Sequence, residues 1–312
     1  MRVAILLTLS LLTACAALAA CTAPRANLET GRVTPRGRFV VGSDVRGNLP
    51  TETSSALYDS LKAGVNEAKA TVSGESPKWT GEEGRQKLAR LVDTLVIYSL
   101  DPLGWGFDFR ARYGFYDHLD LGLRYDSGVW AGDLRFQFLG AIDRGRRPNF
   151  FFNHGPRWYG SLGVQYSSQD FKVPLPILED LQDLLGYEFV RKDVVVPLAF
   201  SYSLGPDELF GAITFGLVYN LGMIKYGFQE EKVAALFQET LADEGITVPQ
   251  AEKNIHAFGP FVNLKVGYKW IYAIASLSIY YQNYGSYDIF GVKTSSFSGL
   301  TFIPTLGLMG TF

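Results

Sequence analysis

The stretch GWGFDFRARYGFYDHLDLGLRY, residues 104–125, alternates with a period of two. Trp105, Phe107, Phe109, Ala111, Tyr113 and Phe115 share one parity, and Gly106, Asp108, Arg110, Arg112 and Gly114 share the other. Successive side chains of a strand point to opposite faces of the pleat, so this period predicts β-structure; a helix would scatter Asp108 and Arg112 among the rings. The alternation resumes after Tyr116 and Asp117, with Leu119, Leu121, Leu123 and Tyr125 opposing Asp120, Gly122 and Arg124, which makes the stretch a hairpin. Alternation alone leaves open which face is wet. A soluble barrel hides its apolar face inside, whereas a membrane barrel turns that face to lipid and keeps the polar one in its lumen.

The same pattern runs through most of the chain. Strand-like segments are predicted near residue 40 (37–46) and at about 103–115, 118–127, 129–142, 157–168, 193–205, 209–222, 257–270, 271–284 and 297–312, ten in all. An aromatic content of 14% and 33 glycines among 312 residues suit a large antiparallel sheet. Apolar residues return at helical spacing within 51–98, 175–187 and 229–245, so short amphipathic helices are expected inside the long connections 47–102, 169–192 and 223–256. Beyond the N-terminal segment no run of 18 apolar residues occurs, and a chain of this kind crosses a bilayer as strands or not at all.

The chemistry of the polar parity decides the wet face. Tyr159, Ser161, Gly163, Gln165 and Ser167, then Thr214, Gly216, Val218 and Asn220, then Ser276, Ser278, Tyr280 and Gln282 are mostly small or neutral, where a water-facing strand would carry Lys and Glu. The opposite parity carries Leu162, Val164 and Tyr166, then Ile213, Phe215, Leu217 and Tyr219, then Leu277, Ile279 and Tyr281, a lipid-facing band with rings toward its ends. At the end of the chain Leu300, Phe302, Pro304, Leu306, Leu308, Gly310 and Phe312 share one parity. This terminus, with Leu306, Leu308 and a final Phe312, resembles the signature by which the assembly machinery recognises bacterial outer-membrane β-barrels, and Gly310 departs from a strict apolar run. The expected fold is therefore all-β: a transmembrane antiparallel β-barrel of about ten strands with short helices in long loops, spanning residues 37–312.

The N-terminus begins Met1-Arg2, continues through an apolar stretch and ends in small residues, the pattern of an export signal. Leu18-Ala19-Ala20-Cys21 resembles a bacterial lipobox, which implies cleavage after residue 20 and a lipid anchor on Cys21; Leu12-Thr13-Ala14-Cys15 fits the same pattern and keeps Cys15 as the alternative. Residues 21–36, rich in Pro, Arg, Thr and Asn, read as a tether. Outer-membrane barrels have short periplasmic turns and long outer loops. Counting back from a periplasmic Phe312 puts most long connections outside and returns the N-terminus to the periplasmic side, the expected place for a lipid anchor in the outer membrane.

On the polar parity of residues 103–142 stand Asp108, Arg110, Arg112, Asp120, Arg124, Asp126, Asp133 and Arg135, four acids and four arginines. Facing a lumen, such a set forms a self-neutralising network, because unpaired charge there is costly and Arg pairs bidentately with carboxylates. The later strands carry no comparable set, so a lopsided lumen is expected. His118, His154 and His256 are scattered, with no Ser or acid at triad spacing, and no metal-ligand cluster or phosphate loop is present. No catalytic residue, metal or cofactor is expected, and a formal charge of −2 without a basic arm gives no sign of a nucleic-acid partner. Two functions fit: a structural or partner-interaction protein of the envelope, its lumen plugged by the Asp/Arg network and its helical loops offered to an envelope protein, or a porin-like channel for small solutes.

Overall fold

A computed structural model describes residues 25–51, 96, 99–140, 158–170, 182–183, 186–229, 231–232, 250–285, 288–289, 292–293 and 297–312. Ten strands close into one antiparallel barrel: β1 (Phe39–Pro50), β2 (Gly104–Tyr116), β3 (Leu119–Asp126), β4 (Val129–Leu139), β5 (Trp158–Asp170), β6 (Glu188–Ser203), β7 (Gly211–Gly227), β8 (Gln250–Tyr268), β9 (Ile271–Gly285) and β12 (Phe297–Thr311). The two-residue strands β10 (Asp288–Ile289) and β11 (Val292–Lys293) pair separately in the connection before β12. Each barrel strand pairs with its neighbour in sequence, and β1 pairs with both β2 and β12, so no edge remains. Phe39 and Phe312 exchange backbone hydrogen bonds of 3.0 and 2.8 Å and finish this seam at the C-terminal end.

The parity read from the sequence is the parity of the wall. Trp105, Phe107, Phe109, Leu121, Leu123, Trp130, Leu162, Ile213, Phe215, Leu306 and Leu308 all point outward and are exposed. Asp108, Arg112, Asp120, Ser161, Thr214, Ser278 and Gln282 point inward and are buried. A wall apolar without and polar within is the arrangement of a transmembrane barrel and the reverse of a soluble one. Strand ends differ from expectation at one rim: β6 starts five residues earlier than predicted, β7 ends five later and β8 starts seven earlier. Residues 188–192, 223–227 and 250–256 mix polar and apolar side chains without a clean band, which hid them from a search for alternation.

The predicted tether is corrected outright for the residues the structure describes. Residues 25–35 do not trail from the barrel; they run down its lumen as an extended strap, with Arg25, Leu28 and Val33 each at most 2% exposed. Eight strands enclose just enough space for their own side chains, so ten leave room for one further chain. At the C-terminal end the strap reverses into β1 through a turn in which the Arg38 amide donates to the Pro35 carbonyl at 3.0 Å and Gly37 takes φ 75°. That value requires φ > 0 at the third turn position, where glycine is favoured. The Gly37 amide also donates to the Gly114 carbonyl at 2.7 Å, and a Cβ on Gly114 would strike the backbone of Thr34 and Pro35.

This path also sets the first described residue at the end of the barrel opposite Phe312. β1 starts at the C-terminal end as the strand count requires, but the strap before it carries the chain back, so Arg25 lies at the opposite end among Asn48, Asp101 and Gln282. The export signal with Cys15 and Cys21, and most of the predicted helices in 51–98, 175–187 and 229–245, lie outside the described residues.

Leu217 is 62% exposed on the outer face of β7, about 15 Å along the barrel axis from that strand's start. Leu217→Arg is expected to lower stability by about 2–4 kcal/mol, the range for a cation at the middle of the lipid-facing band. Denaturant titration in lipid vesicles or detergent measures it, and no loss would contradict the outward assignment.

Candidate functional site: a strapped and charged lumen

The lumen is built from two unlike walls with the strap between them. Strands β1 to β4 contribute charge. The register sets Asp44, Asp108 and Asp126 directly opposite one another across β1, β2 and β3, with Arg110 opposite Arg124 in the next row. Like charges face each other along the pairing direction, so attraction must run diagonally between rows. It does: Arg46 pairs with Asp126 at 2.7 Å, Arg124 with Asp108, and Arg110 lies 3.8 Å from Asp44.

Nearer the C-terminal end Asp120 takes Arg112 at 2.7 Å and Arg135 at 2.6 Å, and Arg112 also reaches Asp133 at 2.5 Å. A Cβ on Gly122, between these groups, would strike the Asp133 carboxylate and Arg112. Seven of the eight charges predicted for this wall pair with one another, and the eighth, Arg110, faces Asp44 and the strap instead. The sequence reading missed Asp44 and Arg46, whose strand has only a weak alternation, and it missed every charge supplied by the strap.

The strap engages this wall through both side chains and backbone. Glu29 stands 3.5 Å from Arg112 and from Arg135 and 4.0 Å from Arg110. Arg124 donates to the Ala26 carbonyl at 2.9 Å, Arg135 to the Thr30 carbonyl at 2.9 Å, and the Thr34 amide donates to Asp120 at 2.7 Å. Burying an extended segment requires partners for its amides and carbonyls, and the wall arginines supply several.

The facing wall, β5 to β9 with β12, is neutral and partly apolar. Ala26 and Leu28 join Val195, Ala199, Val218, Phe261, Ile274, Tyr280 and Ile303 in one buried cluster. The small polar residues between them bind the strap: Ser276 donates to the Asn27 carbonyl at 2.7 Å and the Gly31 amide donates to Ser201 at 3.0 Å, while on the charged wall Gln137 of β4 accepts from the Val33 amide at 2.9 Å. The charge is concentrated on β1 to β4, as expected, but the facing wall is not free of it. Arg191 with Asp193 (2.8 Å) and Lys265 with Glu208 (2.8 Å) are buried pairs in the later strands, missed because Arg191 lies in the unread extension of β6 and Glu208 in a turn.

Both ends are tied. At the C-terminal end the Pro206–Glu208 turn folds under the lumen, and Arg32 binds the Asp207 carbonyl. At the other end Asp101, just before β2, accepts hydrogen bonds from Arg25 (2.7 Å), Asn48 (2.6 Å), Gln282 (2.7 Å), Thr301 (2.6 Å) and Tyr284 (2.9 Å). Burial pushes its carboxyl pKa up, but Arg25 and the donors from Thr301, Asn48 and Tyr284 more than offset this and hold it below the ordinary carboxylate range. The stabilisation is therefore present above that range and is lost as pH falls through the lowered value. Among the described residues, cavities of about 40 and 60 Å³ flank the strap, each with room for a few waters.

The remaining predicted residues lie on the surface or outside the described part. Leu306, Leu308 and Phe312 face outward near the seam. His118 sits in the β2–β3 turn, His256 binds Tyr219 on the outer face of β8 at 2.6 Å, and His154 lies outside the described residues.

An apolar-out, polar-in, closed ten-stranded wall defines the class as a transmembrane antiparallel β-barrel, with the architecture of bacterial outer-membrane barrels. Among solved structures the chain is similar to Ail, the attachment invasion locus protein of Yersinia pestis, at 9% identity over 89% of this chain and 99% of that one, with a TM-score of 0.31. It is also similar to Neisserial surface protein A, at 7% identity over 89% and 100% with a TM-score of 0.28, and to the N-terminal β-barrel domain of Pseudomonas aeruginosa OprF, at 10% over 88% and 97% with a TM-score of 0.21. These superpositions are loose, and the class rests on the geometry of the wall. No protein-family profile matches the chain, and no curated protein matches it in sequence.

Asp101→Ala would strand Arg25, which is 1% exposed, without its carboxylate. The expected loss is about 3–5 kcal/mol, as for other buried pairs that lose one partner. Lys225→Ala, at an exposed 3.1 Å pair with Glu252, should change stability by less than about 1 kcal/mol. Unfolding midpoints of the two variants in detergent check this contrast.

Proposed function

We propose that the chain is an outer-membrane β-barrel lipoprotein with a structural or partner-interaction role in the cell envelope, its lumen closed by its own N-terminal strap. The observation that carries this reading is the strap itself, tied to both walls and at both ends. The Gly/Ser/Thr wall is what would favour a solute channel, yet Ser201 and Ser276 spend their hydroxyls on strap backbone. Lumen charges likewise find partners within the protein, with Glu29 seated among three arginines.

The orientation follows from connection length. The short turns at 117–118, 204–210 and 269–270 share the C-terminal end and are assigned to the periplasm, and the connections 51–103, 171–187, 228–249 and 286–296 to the outer face; the long connection 140–157 and the tight turn 127–128 are the two exceptions. In this reading the export signal delivers the chain, Leu306, Leu308 and Phe312 present it to the assembly machinery, Cys21 carries lipid, and the long outer connections meet an envelope partner. The reading assigns no catalysis.

Planar-bilayer recording of the purified full-length protein should show no steady channels, and sustained open channels would overturn the plugged-lumen reading in favour of a porin-like one. Palmitate incorporation in cells should persist in Cys15→Ala and vanish in Cys21→Ala; an unlabelled wild type would remove the lipoprotein part.

A further inference from the structure

The strap's direction has a topological meaning. Its C-terminal end, residues 34–37, is bound at the β2–β3 rim through Asp120 and Gly114. Its N-terminal end, Arg25, is bound at the opposite rim by Asn48, Asp101 and Gln282. Asn48 lies nine residues along β1 from Phe39, about 23 Å along the axis of a barrel with ordinary strand rise and tilt. The described chain therefore crosses most of a lipid-facing band about 25 Å tall before its first barrel strand begins.

We infer that the N-terminus of the mature chain is delivered through the barrel's own lumen and displayed on the face that carries the long connections, which is the cell surface in the orientation proposed above, on which this inference rests. The lumen between Arg25 and the C-terminal rim is occupied by the strap, and the wall around it is closed. Cys21 stands four residues before Arg25, a reach of at most about 14 Å, too short to return across the band. Acyl chains on Cys21 consequently enter the leaflet at the outer rim, where Leu49, Leu103, Trp105 and Trp130 are exposed on the outward face near the strand ends. Arg25, held by Asp101, Gln282 and Asn48, positions that exit.

The test places one short epitope between Thr22 and Ala23 in the full-length protein, and in a separate variant the same epitope after Glu231, in a long connection. Heat-modifiable gel mobility verifies that each barrel has folded. Antibody binding to intact cells is expected for both. Binding at the Glu231 site in intact cells, with the Thr22 site reached only after the outer membrane is permeabilised or after denaturation, overturns lumenal delivery and leaves the orientation standing. If both sites need permeabilisation, the orientation itself is wrong and surface display falls with it. Binding at the Thr22 site alone likewise overturns the inference, because it sets the N-terminus and the long connections on opposite faces.

Discussion

Hydrocarbon offers no hydrogen bonds, so every backbone amide and carbonyl at membrane depth must find its partner within the protein. In this chain that demand is met by a single junction: β1 and β12, at opposite ends of the sequence, zip together from Val40 with Thr311 to Pro50 with Thr301. Ring closure fixes the enclosed volume, and the volume fixes what must fill it. Ten strands leave more space than their inward side chains occupy, and an unfilled polar lumen would admit water and solutes. The segment immediately upstream of the seam is the one that fills it.

The filling is electrostatic on one side and steric on the other. Rows of like charge across β1, β2 and β3 would repel in isolation, and they hold because each row abuts one of opposite sign. Such pairs contribute little net stability once desolvation is counted, yet breaking any of them leaves an expensive buried charge. On the facing wall Leu28 and Ala26 lie among Val195, Val218 and Phe261, where shape rather than charge sets the fit.

Much of this was legible in the sequence because a barrel wall has a two-residue period that survives without any knowledge of partners. Trp105 through Phe115, Leu162 through Tyr166 and Ile213 through Tyr219 announce their outward face directly. The eight charges of β2 to β4 were legible for the same reason. The strap was not, since residues 25–35 have no period and are polar enough to pass for a tether; their burial depends on Arg124, Arg135 and Ser276, from 98 to 249 residues away. Asp101 was equally silent, because a hub of five donors from four parts of the chain leaves no local trace. The ends of β6, β7 and β8 at the rim away from Phe312 escaped because strands that continue beyond the lipid band lose the constraint that makes them periodic.

The β1–β12 seam joins the first and last strands of the wall, so the ring closes only when both ends of the strand series are present. A finished ring would have to be threaded by a free end through a lumen that its own side chains largely fill. The strap can escape that obstacle only by lying in place while the wall is still an open sheet, with Glu29 and the carbonyls of Ala26 and Thr30 offering early partners to the arginines of β2, β3 and β4. Residues 25–35 thus serve the closed wall as a mandrel serves a tube: the ring and the segment inside it hold each other's shape.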